Sequence, residues 1–390
     1  MNQTKKIRVA VLYGGRSSEH EVSLLSAANV IQNLDRSRFE VVPIGIDKQG
    51  TWYLGDDNAH QLNQSSTLQL HQDAERMLFS PDLIGKQTVL PTPSALISHL
   101  NNTGSLFDVV FPAIHGPLCE DGTVQGLLEL ANVPYVGCGV LASAVGMDKD
   151  VAKRLVKGAG LLVAPYLSFK RGQWAKNAAQ ICALVEEQLT YPVFVKPANT
   201  GSSIGVHKVK HAKNLVGAIE NAFLYDTKVL VEQGIDAQEI EVSALESLDY
   251  GSDPIISVIG EIKPQNEHEF YSYAAKYLDE EGAALVIPAL LPKQVAAEIQ
   301  TTVKAIFSAL ECEGMARVDL FLERGTNRIY FNEINSLPGF TQISMYPKLM
   351  AASGVPYSTL LSHLIDLAIN RHERKVLINR EYVAECVRAY

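Results

Sequence analysis

Two strand-like segments near the end of the chain carry acidic and amide side chains that could hold a metal ion. They are MARVDLFL and RIYFNEI, joined by a turn-like ERGTN around Gly325. A tight turn there allows two registers one residue apart, and one of them pairs Asp319 with Glu333 and Arg317 with Asn335. Because side chains two positions apart share a face, all four then lie together. Two carboxylates and an amide suit Mg²⁺, a cation often shared with phosphates, whereas the alternative is a solvated polar edge.

A second candidate for chemistry is the strand-like VFV, which leads directly to Lys196. The loop NTGSS at 199–203 offers backbone N–H groups and hydroxyls that could cradle phosphate oxygens. The pattern GxxxxGK[ST] is absent, so this is not a Walker A loop. The alternative is an ordinary hairpin turn with a lysine before a proline.

Three further features lie in the first third of the chain. Gly14 and Gly15 follow an apolar run, but GxGxxG is missing, so a dinucleotide site is poorly supported. In SSEHEVS, Ser18 and Glu21 stand at capping-box spacing, so the simplest interpretation of Glu21 is a helix cap. HGPLCEDG begins with His115 where an apolar strand ends, the edge at which parallel sheets bind ligands. The alternative is a structural, hydrogen-bonded histidine.

The apolar patterns predict three units that would position these residues. Residues 1–147 alternate strand-like runs with a helical pattern, which is typical of βαβ units and a parallel sheet. Residues 148–240 form a smaller α+β unit, and residues 241–390 form the third. The fold class is therefore mixed α/β and α+β. The predicted strands are 7–13, 39–46, 107–114, 240–247 and 255–262, and the predicted helices include 21–34 and 357–371.

Within the third unit, residues 264–288 are polar and aromatic and have neither helical nor strand periodicity. A long aperiodic segment inside a compact domain is usually a functional loop or lid. The helix after it has apolar Ile299, Val303, Ile306 and Leu310 at helical spacing.

Composition excludes several classes of protein. The 390 residues carry 43 acidic and 34 basic side chains in no block, giving a net charge of −9, so a broad nucleic-acid or anionic-membrane surface is not expected. The five cysteines are odd in number and lack metal-ligand spacing, which fits reduced thiols. The first apolar run is too short for a signal-peptide core, and no apolar stretch is long enough to span a membrane. We therefore expect a cytoplasmic enzyme or binding protein.

The motifs, taken in order, resemble the D-alanine-D-alanine ligases of the ATP-grasp superfamily. The matching segments are GGRSSEHEVS, HGPLCEDG, MDKDVAKRL, VFVKPANTGSSIGV, VLVEQGI, EFYSYAAKY, MARVDLFL and FNEINSLPGFTQISMYP. The resemblance implies a three-domain ATP-grasp fold with an N-terminal parallel-sheet domain. It also implies ATP-dependent joining of two D-alanines through D-alanyl phosphate, for peptidoglycan synthesis, by a homodimer.

The same resemblance implies an ATP site between the central and C-terminal domains. The residues that would bind ATP are Lys149, Lys196, Glu232, Gln233, Gly234, Ile235, Glu239 and Lys276. The three lysines would contact phosphates, Glu232 and the backbone beside it the adenine, and Glu239 the ribose. Two Mg²⁺ ions, for which Mn²⁺ can substitute, would be held by Asp319, Glu333 and Asn335.

For the amino-acid substrates, the resemblance implies a second set of residues: Glu21, His115, Ser202, Tyr277, Arg317, Gly339, Ser344 and Met345. Glu21 would face the ammonium of the first D-alanine, bonded to Ser202 and Tyr277, with His115 near that substrate. Ser344 and the backbone at Met345 would take the second substrate's carboxylate.

Catalysis then needs charge stabilisation and exclusion of water. Arg317 and the Gly339 N–H would face the oxyanion formed when the second amine attacks. The 264–288 segment, which carries Lys276 and Tyr277, would close over the acyl phosphate as a lid.

Three alternatives remain at this point. A depsipeptide ligase would use D-lactate as second substrate, but Tyr277 matches the dipeptide makers, whereas phenylalanine there would indicate lactate. A non-catalytic ATP-binding protein would lack a lysine, metal ligand or oxyanion arginine, and none is missing. A nicotinamide oxidoreductase would need the absent GxGxxG.

Overall fold

The computed structural model describes residues 5–54, 77–79, 106–265 and 283–380, with residues 77–79 described by their backbone only. Most of the predicted lid therefore lies outside the described residues, and so do Lys276 and Tyr277.

Apolar runs form the parallel part of the first sheet, as predicted. Its strands are β1 (Ile7–Gly14), β2 (Phe39–Ile46), β3 (Trp52–Leu54), β4 (Met77–Phe79) and β5 (Val109–Pro112). The order is β4-β3-β2-β1-β5, with β1 parallel to β2 and β5, and β3 antiparallel to β2 and β4. The predicted helix, α1 (His20–Asn33), connects β1 to β2, and its Leu24 and Ala27 are buried in one core with Val9 and Val11.

Three helices and a short strand lead from the first sheet to the second. They are α2 (Thr123–Leu130), α3 (Val140–Met147), α4 (Lys149–Gly158) and β6 (Leu162–Val163). The side chain of Asp148 accepts hydrogen bonds from the backbone N–H groups of Asp150 and Val151, as expected of an N-cap. This cap sets the start of α4, so Lys149 is its first residue.

The second sheet is antiparallel and is covered on one face by two helices. Its elements are β7 (Tyr166–Lys170), α5 (Arg171–Gln188), β8 (Val193–Pro197), β9 (His207–Val209), α6 (Leu215–Ala222) and β10 (Lys228–Gln233), with strand order β7-β10-β8-β9. Val193 and Val195 are buried with Ile219 of α6. Because strand side chains alternate, Phe194 and Lys196 lie on the opposite face.

The third sheet contains six strands. Its further elements are β11 (Ala237–Leu245), β12 (Ile255–Pro264), β13 (Ala283–Val286), α7 (Lys293–Ala309), β14 (Met315–Glu323) and β15 (Ile329–Asn335). The order is β13-β12-β11-β14-β15-β6. Ile299 and Val303 of α7 pack with Val242 and Val318 in one core, which confirms the helical spacing predicted for this segment. Because side chains alternate along a strand, Asp319 lies on the face of the sheet opposite to Val318.

The predicted pairing of β14 with β15 is confirmed. Asp319 pairs with Glu333 and Arg317 with Asn335, whereas nearer the turn Leu320 pairs with Phe331. Asn332 is therefore an extra residue, a β-bulge that changes the register between these pairs. Both registers allowed by the sequence occur in one hairpin.

Two helices end the described chain, α8 (Met345–Ala352) and α9 (Tyr357–Val376). Leu361 and Ile365 of α9 are buried in the same core as Val9 and Phe111 of the first sheet. Helix α9 therefore packs on the first sheet, and β6, which precedes the second sheet in sequence, joins the third, while the predicted domain boundaries stay a prediction. Among the described helices, none has the length and apolar content needed to cross a membrane.

Candidate active site

A cavity of about 460 Å³ lies between the second and third sheets. The predicted nucleotide residues that line it are Lys149, Lys196, Glu232, Gln233, Gly234, Ile235 and Glu239. The predicted metal ligands Asp319 and Glu333 line it as well. The structure thus brings together residues from β8, β10, β11, β14 and β15, while Lys276 lies outside the described part of the chain.

Lys196 is held by hydrogen bonds at one wall of this cavity. Its Nζ donates to Glu232 Oε2 at 2.6 Å and to Oδ1 of the bulged Asn332 at 3.2 Å. Glu232 is only 2% exposed, and its Oε1 lies 2.6 Å from Nζ of Lys153. Burial favours the neutral acid, but the charges of Lys153 and Lys196 hold the pKa of Glu232 below its usual value. The Glu232 side chain therefore binds two lysines, and sequence reasoning missed Lys153.

The chain after Glu232 continues along the same cavity. Gln233 turns its side chain away, since its Oε1 accepts from the Thr190 N–H at 3.0 Å. At Gly234 a Cβ atom would lie 2.8 Å from the Pro192 carbonyl oxygen, so a larger residue would have to displace backbone. This close approach explains why a glycine lies beside the predicted adenine contact.

Lys149 connects the 199–203 loop to the acidic hairpin. Its Nζ donates to the Thr200 carbonyl at 2.6 Å and lies 3.3 Å from Glu333 Oε2. One ammonium group therefore contacts both the predicted phosphate loop and a predicted metal ligand, which is consistent with a site for an anion and a cation together.

Arg317 lies between two acids on the cavity face of the third sheet. Its Nε and NH2 donate to Asp319 at 2.8 Å each, and its Nε lies 3.0 Å from Glu241 Oε2. Burial disfavours the charge, but Asp319 and Glu241 outweigh it and hold the pKa of Arg317 well above its usual value. Sequence reasoning missed Glu241, although Glu239 and Glu241 stand two apart on one strand and must share a face.

The acids of the hairpin fit a hard cation. Asn335 donates from Nδ2 to Asp319 Oδ2 at 3.0 Å, so its own Oδ1 stays available as a ligand. Within the described ranges, no group of three or more His, Cys, Asp or Glu side chains is arranged to hold a metal. The donor set is instead two carboxylates and an amide, with substrate phosphates as the remaining oxygens, a combination that Mg²⁺ accepts.

The structure corrects the position of the acid predicted beside Ser202. Glu21 is solvent-facing, with 68% of its side chain exposed, and pairs with Lys48 at 2.9 Å. Glu19 is 6% exposed, and its Oε1 accepts the hydrogen bond from Ser202 Oγ. The physical reason is that α1 begins at His20, which makes Glu19 the N-cap residue and turns Glu21 outward. No side-chain capping bond forms at Glu19, so the capping-box interpretation of Glu21 is wrong too.

Glu19 lies against two glycine-containing loops. A Cβ atom at Gly116 would lie 2.7 Å from Glu19 Oε2, and one at Gly201 would lie 2.9 Å from it. HGPLCEDG and the 199–203 loop therefore meet at this carboxylate. The sequence shows two acids in SSEHEVS, and only the start of α1 distinguishes them.

His115 is buried and engaged at both ring nitrogens. Nε2 lies 2.8 Å from Ser26 Oγ and Nδ1 lies 3.3 Å from Glu120 Oε1. These contacts match the structural alternative given for this histidine, and its contact with the first substrate stays a prediction.

The turn before α8 brings Gly339 and Ser344 together. Ser344 Oγ accepts from the Thr341 N–H at 3.0 Å, and a Cβ atom at Gly339 would lie 2.9 Å from that oxygen. The Met345 side chain is buried, and its Cε would lie 2.2 Å from a Cβ atom at Gly260. The Met345 side chain is therefore engaged in packing, and the contact of its backbone with the second substrate stays a prediction.

Comparisons with known proteins identify the family. The sequence model "D-ala D-ala ligase N-terminus" matches residues 8–138, and "D-ala D-ala ligase C-terminus" matches residues 155–366. D-alanine-D-alanine ligase A of Bradyrhizobium diazoefficiens is 52% identical over 97% of this chain and 99% of its own length. A D-alanine-D-alanine ligase of Caldicellulosiruptor bescii is 47% identical over 95% and 97%.

Solved structures of similar proteins support the same family. The D-alanine-D-alanine ligase of Coxiella burnetii has a TM-score of 0.75 at 33% identity, covering 96% of this chain and 97% of that one. The VanG D-Ala:D-Ser ligase of Enterococcus faecalis has a TM-score of 0.76 at 35% identity, covering 93% and 100%. The predicted ATP-grasp fold is confirmed. On its sequence over nearly the whole length and on its fold, the chain belongs to the D-alanine-D-alanine ligase family.

Proposed function

We propose that this chain joins two D-alanines to D-alanyl-D-alanine, converting ATP to ADP and phosphate, and so supplies the dipeptide for peptidoglycan precursors. Because the chain belongs to this family, we infer that it uses ATP and D-alanine as substrates. The observation that supports it most is the cavity between the second and third sheets. It gathers seven of the eight residues predicted to bind ATP and adds two carboxylates suited to Mg²⁺.

In the proposed first step, a carboxylate oxygen of one D-alanine attacks the γ-phosphorus of ATP, and ADP leaves. The product is D-alanyl phosphate. Phosphoryl transfer of this kind depends on positioning and charge neutralisation more than on covalent help. Lys149 and Lys196 provide two positive charges on the cavity wall, and Lys276 is proposed as a third.

Asp319, Glu333 and Asn335 would hold two Mg²⁺ ions, or Mn²⁺ in their place. A bound ion would neutralise charge on the phosphates. Arg317 contacts Asp319, and Lys149 lies beside Glu333, so protein cations also adjoin these carboxylates.

In the proposed second step, the amine of another D-alanine attacks the acyl carbon, a C–N bond forms and phosphate leaves. The Arg317 guanidinium and the Gly339 N–H would stabilise the oxyanion. Glu241 and Asp319 fix Arg317 from two sides, which pre-organises it for that task. The turn with Ser344 would hold the second carboxylate.

For the first D-alanine we propose Glu19 in place of Glu21 as the acid that meets its ammonium group. Glu19 is buried, bonded to Ser202 and flanked by two glycines, whereas Glu21 faces solvent. An ammonium beside a buried carboxylate makes a charge-assisted hydrogen bond, which is stronger than a neutral one. His115 lies in the HGPLCEDG loop next to this acid.

The experiment is a phosphate-release assay with ATP, Mg²⁺ and D-alanine, with products identified by mass spectrometry. D-lactate and D-serine, offered separately with D-alanine, test the acceptor, since one structural relative is a D-Ala:D-Ser ligase. We expect D-alanyl-D-alanine as the main product, and L-alanine should give none. ATP binding without phosphate release in any mixture would contradict the proposal and favour a non-catalytic ATP-binding protein.

Two finer expectations accompany the proposal. We propose that the protein is a homodimer and that it acts in the cytoplasm. Sedimentation velocity at micromolar concentration checks the first, and a single species at the mass of one 42.7 kDa chain would contradict it.

A further inference from the structure

Lys153 lies within the MDKDVAKRL segment and is buried, but neither the resemblance nor the proposed reaction gives it a role. It lies on α4 and is 0% exposed. Its Nζ is 2.6 Å from Glu232 Oε1 and donates to the Phe331 carbonyl at 3.1 Å. Taking an ammonium out of water is costly unless it is paired and hydrogen-bonded. Such a group therefore needs a structural or functional reason.

The partner of Lys153 is shared with a residue of the cavity wall. Glu232 holds Lys153 with one oxygen and Lys196 with the other, each at 2.6 Å. The three groups carry one net positive charge. Lys196 lines the cavity, whereas Lys153 does not reach it, so that charge is presented to a ligand through Lys196 alone.

We propose that Lys153 is a positioning residue of the nucleotide site, which neutralises Glu232 so that the Lys196 ammonium keeps its charge for a nucleoside triphosphate. This inference rests on the proposed function, since it assumes that the cavity binds ATP. Without Lys153, Glu232 would be compensated by Lys196 only. The pair would then be neutral, and its attraction for phosphate would fall.

A charge-rescue series tests this proposal. The variants are Lys153→Met, Glu232→Gln and the double variant, and the control is Lys157→Met, an exposed lysine one turn further along α4. Calorimetry measures binding of ATP with Mg²⁺ in the absence of D-alanine. We expect Lys153→Met to weaken ATP binding about 10-fold or more, the effect of about 1.4 kcal/mol. In the Glu232→Gln background no carboxylate remains to be neutralised, so adding Lys153→Met there should change ATP binding by no more than about 3-fold relative to Glu232→Gln alone.

Steady-state kinetics separate positioning from folding. Lys153→Met should raise the KM for ATP and leave the KM for D-alanine unchanged, and Lys157→Met should change neither. An equal fold-loss of ATP affinity on adding Lys153→Met to wild type and to Glu232→Gln would overturn the proposal, because Lys153 would then act through packing and not through Glu232. If Lys153→Met does not fold, the comparison of the double variant with Glu232→Gln decides, and a further loss of ATP affinity above about 10-fold in the double variant would overturn the proposal.

Binding of ATP to wild type and to Lys153→Met distinguishes a wrong proposed function from a wrong role for Lys153. If wild type does not bind ATP, the proposed function is wrong. If wild type binds ATP and Lys153→Met binds it equally well, the proposed function stands and the role of Lys153 is wrong.

Discussion

Glu19 and Ser202 are hydrogen-bonded through their side chains although 183 residues separate them in sequence. Glu19 is the residue just before α1, the helix after the first strand, and Ser202 belongs to the loop after β8. The contact joins the first sheet to the second at a buried carboxylate. A substrate bound there would touch both units, so its affinity should depend on their relative placement.

The first prediction concerns this acid and its neighbour. Glu19→Gln should lower kcat/KM for D-alanine about 10- to 100-fold, because hydrogen bonds to charged groups are worth about 1.5–3 kcal/mol. Glu21→Gln is the matched control and should stay within about 2-fold of wild type, since Glu21 is exposed and pairs with the exposed Lys48. Initial rates against D-alanine concentration measure both. Equal losses of kcat/KM in the two variants would show that Glu21 also acts on the substrate.

The second prediction concerns the metal. Glu333→Gln keeps the size of the side chain and removes its charge. Substituting a residue that only hydrogen-bonds to a metal ligand typically costs about 10- to 100-fold in metal affinity or activity. Loss of a ligand itself should cost more, so the Mg²⁺ concentration for half-maximal activity should rise by more than about 100-fold. Glu323→Gln, on the same hairpin but paired with exposed Arg328, is the control and should behave as wild type. An unchanged Mg²⁺ dependence in Glu333→Gln would show that these acids form a solvated face.

The third prediction concerns the oxyanion. Loss of one such donor typically costs about 10² to 10³ in kcat, and we expect this for Arg317→Ala. Affinity for ATP should change far less, as measured by calorimetry. Arg328→Ala removes an exposed arginine of the same hairpin and should have no comparable effect. If ATP affinity accounted for the whole loss of activity, Arg317 would be a nucleotide ligand.

The fourth prediction concerns stability and pH. Burial alone would raise the pKa of Asp108, but its hydrogen bonds to Arg8 outweigh burial and lower it. The Arg8–Asp108 pair therefore stabilises the fold fully above the unfolded-state pKa of about 3.9. That stabilisation is lost as the pH falls through the lower pKa that Asp108 has in the folded protein.

Asp108→Asn should then lower the free energy of unfolding at pH 7 by no more than about 1 kcal/mol, because the carboxylate is partly exposed. The difference from wild type should shrink below about pH 4. Thermal melts between pH 7 and pH 3 measure it. Asp253→Asn, whose side chain is 80% exposed, is the control, and a pH-independent difference for Asp108→Asn would rule out an ionic cause.

Local rules predicted the parts of the site that depend on neighbours in sequence. The Asp319–Glu333 pairing follows from a tight turn and the period of two in strands, and it is confirmed. Lys153 was missed, although it stands four residues after Lys149 and so on the same side of α4, because a buried lysine makes sense only once Glu232 of β10 is seen beside it. Contacts between distant elements carry no signal in a single sequence.

The sharing of one core between α9 and the first sheet has a consequence for biosynthesis. Strands β1 and β5 are complete by residue 112, yet Leu361 and Ile365, which bury their apolar face, come about 250 residues later. At about 5–20 residues per second, the ribosome needs roughly 12 to 50 seconds to supply them. During that time the part of the apolar face that α9 will cover stays exposed beside α1, so this protein should depend on chaperone binding early in its translation and should aggregate when its synthesis stops before residue 357.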